Sequence, residues 1–228
     1  MSIFRKALLL ATVATFVMAG SANATQFSFY NITNNGYSDL AGQLSVDVIA
    51  NTDGTVSFKF FNNVGIASSI TAIYFDDGPL FGISSISDSG DGVDYLADPS
   101  GSGTLPGWKN ATPPFLTTRG FWADPSPPTQ PNGVNASDEW VMITFALTTG
   151  QTYGDVIAAL DRGCPAGVDD PECADGLRIG LHVQAIGATG GSDSYINNGR
   201  VVPDGGMTLM LLGGALVGLG ALRRKFRA

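Results

Sequence analysis

The stretch LAGQLSVDVIANTDGTVSFKFF, Leu40 to Phe61, decides the fold. Leu44, Val46 and Val48 alternate with Ser45 and Asp47, and Val56, Phe58 and Phe60 share a face opposite Lys59. Side chains of a strand point to alternate faces, so a period of two gives each run one apolar side. Asn51-Thr52-Asp53-Gly54 joins the runs, and Asp-Gly between two alternating segments is a strong hairpin signal. The stretch reads as two antiparallel strands, 40–49 and 55–61.

The same period recurs outward. Gln26 to Ile32 places Phe27 and Phe29 together, and Ile70 to Phe75, Trp140 to Leu147 and Leu177 to Ile186 read as further strands. In the last of these, Leu177, Ile179, Leu181 and Val183 alternate, which puts Arg178, Gly180, His182 and Gln184 on the other face. One short helix is expected after Thr152, because Tyr153, Val156, Ile157 and Leu160 have helical spacing and Gly163 can end it. The fold class is mostly β: a single antiparallel β-sandwich with one short helix, a jelly roll being the close alternative. No repeat of 20–50 residues marks a solenoid or propeller. Residues 98–137 differ, with many prolines among Trp108, Phe115, Phe121 and Trp122. They read as a long ordered loop over the sandwich. Its aromatics either plug the edge of the core or stack on a sugar, for which Trp108 and Trp122 are the candidates and Tyr95 a third member.

Composition narrows the function classes. The 228 residues carry 12 Lys and Arg against 20 Asp and Glu, a net charge of −8. Such a chain lacks the clustered cations that nucleic-acid phosphates require, so no nucleic-acid partner is expected. One histidine and two cysteines leave little for a His-rich metal enzyme or a disulfide-dense scaffold. The 13 Phe, 6 Tyr and 3 Trp argue for a packed core.

Both ends read as addresses. Arg5-Lys6, an apolar run from Ala7 to Ala19, and Ala22-Asn23-Ala24 make a secretory signal pattern with cleavage after Ala24. Signal peptidase and the Sec translocon are the partners this implies. At the far end, Val202-Pro203-Asp204-Gly205-Gly206 precedes MTLMLLGGALVGLGAL, Met207 to Leu222, and then Arg223-Arg224-Lys225-Phe226-Arg227. With its two preceding glycines the uncharged run is long enough to cross a bilayer of about 30 Å. The cations Arg223, Arg224, Lys225 and Arg227 would hold the end in the cytoplasm. Pro203 disfavours helix before it and the glycines keep the motif open, as a substrate for an enzyme must be.

This three-part end resembles the PEP-CTERM class of bacterial sorting signals, in its Val-Pro-Asp variant. The resemblance implies an exported envelope protein cut near Pro203 by an exosortase, a membrane enzyme of cysteine transpeptidase type. It also implies company with exopolysaccharide and biofilm matrix. The folded part resembles small secreted domains of that class, through Phe61 to Gly78 and Leu177 to Asn197, and that likeness implies no activity. The domain organisation expected is a signal peptide at 1–24, a secreted β-sandwich at 25–198 and a sorting signal at 199–228. Within the last lie the motif 202–206, a membrane helix 207–222 and a basic tail 223–228.

Catalytic patterns are scarce. His182 is the sole histidine, and no G-x-S-x-G elbow supplies a serine for it. No catalytic residue is proposed, and the chain is read as a non-enzyme. Asp88, Asp91 and Asp94 are spaced in a glycine-rich loop that could hold calcium, although they lack the EF-hand pattern. Other cofactors are not expected. Cys164 and Cys173 flank a short acidic loop, and in an oxidising compartment they are expected to form a disulfide. The function expected is a non-enzymatic cell-surface or extracellular-matrix protein, with an inner-membrane precursor. A carbohydrate-binding module for extracellular polysaccharide is the alternative, and a secreted hydrolase the third reading.

Overall fold

The structure, a computed structural model, describes residues 24–76, 81–90, 92–97, 103–123, 130–163 and 176–200. Ten strands form one antiparallel sheet. They are β1 (Ala24–Asn31), β2 (Leu44–Ala50), β3 (Thr55–Asn62), β4 (Ser69–Asp76), β5 (Phe81–Asp88), β6 (Tyr95–Ala97), β7 (Arg119–Ala123), β8 (Trp140–Leu147), β9 (Arg178–Ile186) and β10 (Gly191–Arg200). Their order across the sheet is β5-β8-β3-β2-β1-β10-β9-β4-β7-β6.

The β2–β3 hairpin forms as its sequence requires. Val46 stands opposite Phe60 and Val48 opposite Phe58. Gly54 supplies the left-handed turn residue, with φ 82°, and the turn closes through Asn51 N to Thr55 O at 3.0 Å. The strand begins only at Leu44, since residues 41–43 turn. Leu40 is nevertheless buried, because its N–H donates to the Tyr195 hydroxyl at 3.2 Å and draws the turn onto the core.

The fold is mostly β and antiparallel, as expected. Its two facing halves belong to one sheet bent over on itself. Four strands lie between β3 and β4 in the sheet, yet the Phe58 and Phe75 rings meet edge-on at 5.2 Å. Phe75 also meets Phe145 of β8 at 5.0 Å. Such contacts require the inner faces of the two halves to be apposed. β1 and β10 make the bend, each paired on both sides, and bulges interrupt the β1–β10, β10–β9 and β4–β9 registers. A bulge adds a residue to one strand, kinks it and deepens its twist, which lets a wide sheet close.

Helix α1 (Tyr153–Arg162) covers part of the core with Val156, Ile157, Ala159 and Leu160. Thr152 and Asp155 form a reciprocal capping box at its start. Among the described residues no helix is long and apolar enough to cross a membrane. The signal segment 1–23 and the run 207–222 lie outside the described residues.

The 98–137 segment is not one long loop. It contributes β7, which pairs with β4 and β6. Residues 103–118 cover the outer face of the sheet instead. There Leu105, Ala111 and Phe115 pack on Ala72, Tyr74 and Ile196, making a second small core. β4 is thereby buried on both faces. Gly180 is what permits the layer: a Cβ on it would lie 2.8 Å from Leu105 Cδ2.

Candidate functional site

The ends of the sheet define the first site. β1 starts at Ala24 and β10 ends at Arg200, and the two are antiparallel neighbours with Phe27 opposite Arg200. The chain therefore enters and leaves the fold at one pole. The N-terminus of α1 is fixed there too. Tyr153 donates its hydroxyl to Val48 O at 3.1 Å, and Thr25 Oγ1 lies 2.9 Å from that hydroxyl. Ala24 is already paired, opposite Ile49, so the sheet begins at the residue where the leader was expected to end. Ala22 lies outside the described residues, as do Val202, Pro203, Asp204, Gly205, Gly206 and the cations Arg223, Arg224, Lys225 and Arg227. β10 carries the sheet two residues beyond the boundary expected at 198.

A polar clamp sits at the same pole. Asp76 ends β4 and Arg178 begins β9, opposite one another. Arg178 Nη2 meets Asp76 Oδ2 at 2.5 Å, and the guanidinium also donates to the carbonyls of Pro113 at 2.5 Å and Pro114 at 2.8 Å. It lies 5.4 Å from the Phe115 ring centre. Asp76 Oδ2 accepts Leu116 N at 3.0 Å as well. Arginine suits this position, because its planar fork serves several acceptors at once. In the sequence, Arg178 reads only as the polar face of a strand. Nothing local reveals that a proline-rich loop would cover it.

The opposite pole carries an open cleft of about 430 Å³, lined in part by Ala67, Ser69, Pro131, Asn135, Glu139 and Ala185. These residues lie at the far ends of β4, β8 and β9 from Ala24 and Arg200. Glu139 is engaged within the protein: its Oε2 accepts the N–H groups of Asn135 at 2.6 Å and Ala136 at 3.0 Å. Beneath it, Gln43 Nε2 donates to Asn62 Oδ1 at 2.7 Å and Ser68 Oγ at 3.0 Å. Ala185, at φ 55°, is held in the left-handed region, which a residue with a side chain rarely adopts.

Trp108 and Trp122 border the same outer cluster and pack against it, partly buried. Trp122 meets Tyr74 edge-on at 5.9 Å, and Gly103 and Gly120 let the chain pass close to its ring. Tyr95 does not join them. It is buried in the main core, and its hydroxyl donates to Ile70 O.

His182 lies half-buried on the outer face, its Nδ1 3.4 Å from Gln184 Nε2. Ser194 stands opposite it on β10, but the Ser194 hydroxyl is fully buried. A nucleophile sealed in this way cannot reach a substrate in solvent. Burial lowers the His182 pKa below 6.5, because it penalises the charged ring. The unfolded chain then binds the proton first as pH falls. Stability is complete above about pH 6.5 and declines as pH drops through the lowered folded value. NMR titration of this single histidine is expected to give a midpoint below 6.5, and His182→Gln to remove its share of the acid slope. A midpoint at or above 6.5 would contradict the buried position.

Of the calcium candidates, Asp88 closes a turn on Gly90 N at 3.0 Å. Asp94 is exposed, and Asp91 lies outside the described residues. Among the described residues no three His, Cys, Asp or Glu side chains gather to hold a metal. Cys164 and Cys173 also lie outside them. The described residues on either side of that segment do meet: a Cβ on Gly176 would lie 2.7 Å from Gly163 N.

The described sheet thus begins at Ala24 and ends at Arg200 on neighbouring strands, and the Val-Pro-Asp motif follows Arg200 closely in the sequence. Residues 201–226 match the family model of the VPDSG-CTERM motif, a PEP-CTERM-like exosortase sorting signal. The match supports an exported, surface-directed protein and implies an exosortase-like processing enzyme. No curated protein and no solved structure matches the chain.

Proposed function

We propose that the protein is a non-enzymatic component of the cell surface or extracellular matrix. It crosses the inner membrane through the Sec translocon, loses its leader to signal peptidase, and is processed at Val202–Gly206 by an exosortase-like enzyme. In this reading it joins an exopolysaccharide or biofilm matrix. The observation that carries it is the sorting motif at 201–226, which directly follows the last strand of a folded domain. The charge distribution agrees. Residues 25–200 hold 6 bases against 19 acids, a net of −13, while the other 6 bases lie in the two end segments. Basic ends stay inside and the acidic domain goes out. In the producing bacterium, Pro203→Ala with Asp204→Ala is expected to leave an uncleaved precursor at the inner membrane. Mass spectrometry of the mature C-terminus reads the outcome, and unchanged size and location would refute processing at this motif.

A disulfide between Cys164 and Cys173 belongs to the same reading, supported by the meeting of Gly163 and Gly176 and by the oxidising compartment. Calcium at Asp88, Asp91 and Asp94 is the one cofactor that it leaves room for.

One observation favours a second reading, a carbohydrate-binding module: Trp108 and Trp122 flank the same outer cluster and neither is fully buried. Sugars stack on such partly exposed rings. Binding would shift tryptophan fluorescence on titration with matrix polysaccharide, with the response reduced in Trp108→Ala. No shift at millimolar sugar removes this reading.

A further inference from the structure

The last strand ends almost where the sorting motif begins. β10 pairs with β1 as far as Arg200, and only Val201 and Val202 separate it from Pro203. Three fully extended steps cover about 10 Å. A membrane protease or transpeptidase takes its substrate as an extended chain, gripping main-chain groups beside the scissile bond much as strand addition does. The backbone of Arg200, paired opposite Phe27 on β1, is not free to bond such an enzyme.

The register breaks at this place. Phe29 pairs with Asn197 and Phe27 with Arg200, so a bulge takes up Asn198 and Gly199. A bulge disrupts the ladder locally, which leaves the pair beyond it weakly supported. Glycine adds backbone freedom at the same point. Strand ends of this kind open at a small fraction of the cost of global unfolding. The preceding part of β10 is anchored in the core. Tyr195 and Ile196 are fully buried, and Asn197 Oδ1 accepts Ile179 N at 2.6 Å.

We propose that Asn198–Arg200, the bulged end of β10, gates sorting: processing proceeds from a form in which this end has peeled from β1 while the rest of the sheet stays folded. Peeling frees the chain from Asn197 onward and lengthens the extended reach to Pro203 to about 20 Å. The proposal rests on the reading of Val202–Gly206 as the processing enzyme's substrate.

The test uses the full-length precursor in the producing bacterium. A spacer of about six Gly and Ser residues inserted between Arg200 and Val201 supplies free chain without any opening. Pulse-chase conversion of precursor to mature form is expected to run several-fold faster with the spacer. The same spacer in the Asn51–Gly54 turn, which does not touch the gate, is expected to leave the rate unchanged. Equal rates for the native and Arg200-spaced precursors overturn the gate, as does an equal gain from the turn insertion. Pro203→Ala with Asp204→Ala, placed in both the native and the spaced precursor, separates the two readings. If conversion stops in both and the spacer alone has no effect, the gate falls and the sorting reading stands. If conversion continues despite the substitutions, both fall.

Discussion

Phe75→Ala is expected to lower the unfolding free energy by about 3–5 kcal/mol, the range for a fully buried phenylalanine reduced to alanine. Phe75 is 0% exposed. Its ring meets Phe58 at 5.2 Å, Phe60 at 6.2 Å, Phe121 at 5.9 Å and Phe145 at 5.0 Å, all edge-on. Those partners come from β3, β7 and β8, in both halves of the bent sheet. The substitution therefore empties the point where the halves touch. Edge-on pairs add about 0.5–1.5 kcal/mol each beyond buried area, although such terms do not simply sum. Urea denaturation of the secreted domain measures the loss. Phe75→Leu keeps most of the volume and is expected to cost less than half as much. A loss under about 1 kcal/mol for Phe75→Ala would mean that the halves are not packed through this ring.

The second large effect lies at the clamp. Arg178→Leu is expected to cost about 3–5 kcal/mol, because it strands a partner of a buried ion pair. Side-chain exposure is 4% for Arg178 and 14% for Asp76, so water replaces little of what is lost. The carbonyls of Pro113 and Pro114 lose their donor as well. Asp76→Leu in the same chain removes the stranded carboxylate and is expected to restore part of the stability. Recovery stays incomplete, because the two proline carbonyls and Leu116 N remain without those partners. Hydrogen exchange gives a local signature. Phe115 N, bonded to Trp108 O at 3.1 Å, is expected to lose protection first as the 103–118 layer loosens. Protection unchanged there would show that the layer is held by apolar packing alone.

Both effects involve residues that are plain in the sequence and partnerships that are not. Phe58, Phe60 and Lys59 announce their faces through a period of two, and the Asp53-Gly54 turn announces its hairpin. The helix follows from the spacing of Tyr153, Val156, Ile157 and Leu160. β10 is hidden, because its inward positions include polar residues. Asp193, for example, is buried and accepts Thr33 Oγ1 at 2.7 Å and Asn35 N at 2.9 Å. Such a strand looks like a loop until its partners are known. β6 is only three residues long, and β7 interrupts a run of prolines with too few residues to display a period. β5 reads FGISSISD, in which serines stand where stronger alternation would mark a strand.

The candidate site divides in the same way. The sorting motif is contiguous, so it is legible without any fold, and its match at 201–226 depends on no distant residue. The Arg178 clamp and the cleft beside Glu139 are assembled from segments far apart in the chain, and no local pattern names them.

The sequence by itself determined the mostly β class, the first hairpin, the short helix and the C-terminal address. Each of these is written in neighbouring residues, through periodicity, turn chemistry or a short motif. Only the tertiary structure decided that β1 and β10 meet in the middle of one bent sheet, where Asn31 reaches Tyr195 across 164 positions. That pairing sets Ala24 and Arg200 at one pole and the cleft at the other. The physical reason is that a long-range register is chosen by burial and ladder hydrogen bonds, which exist only once the chain has closed.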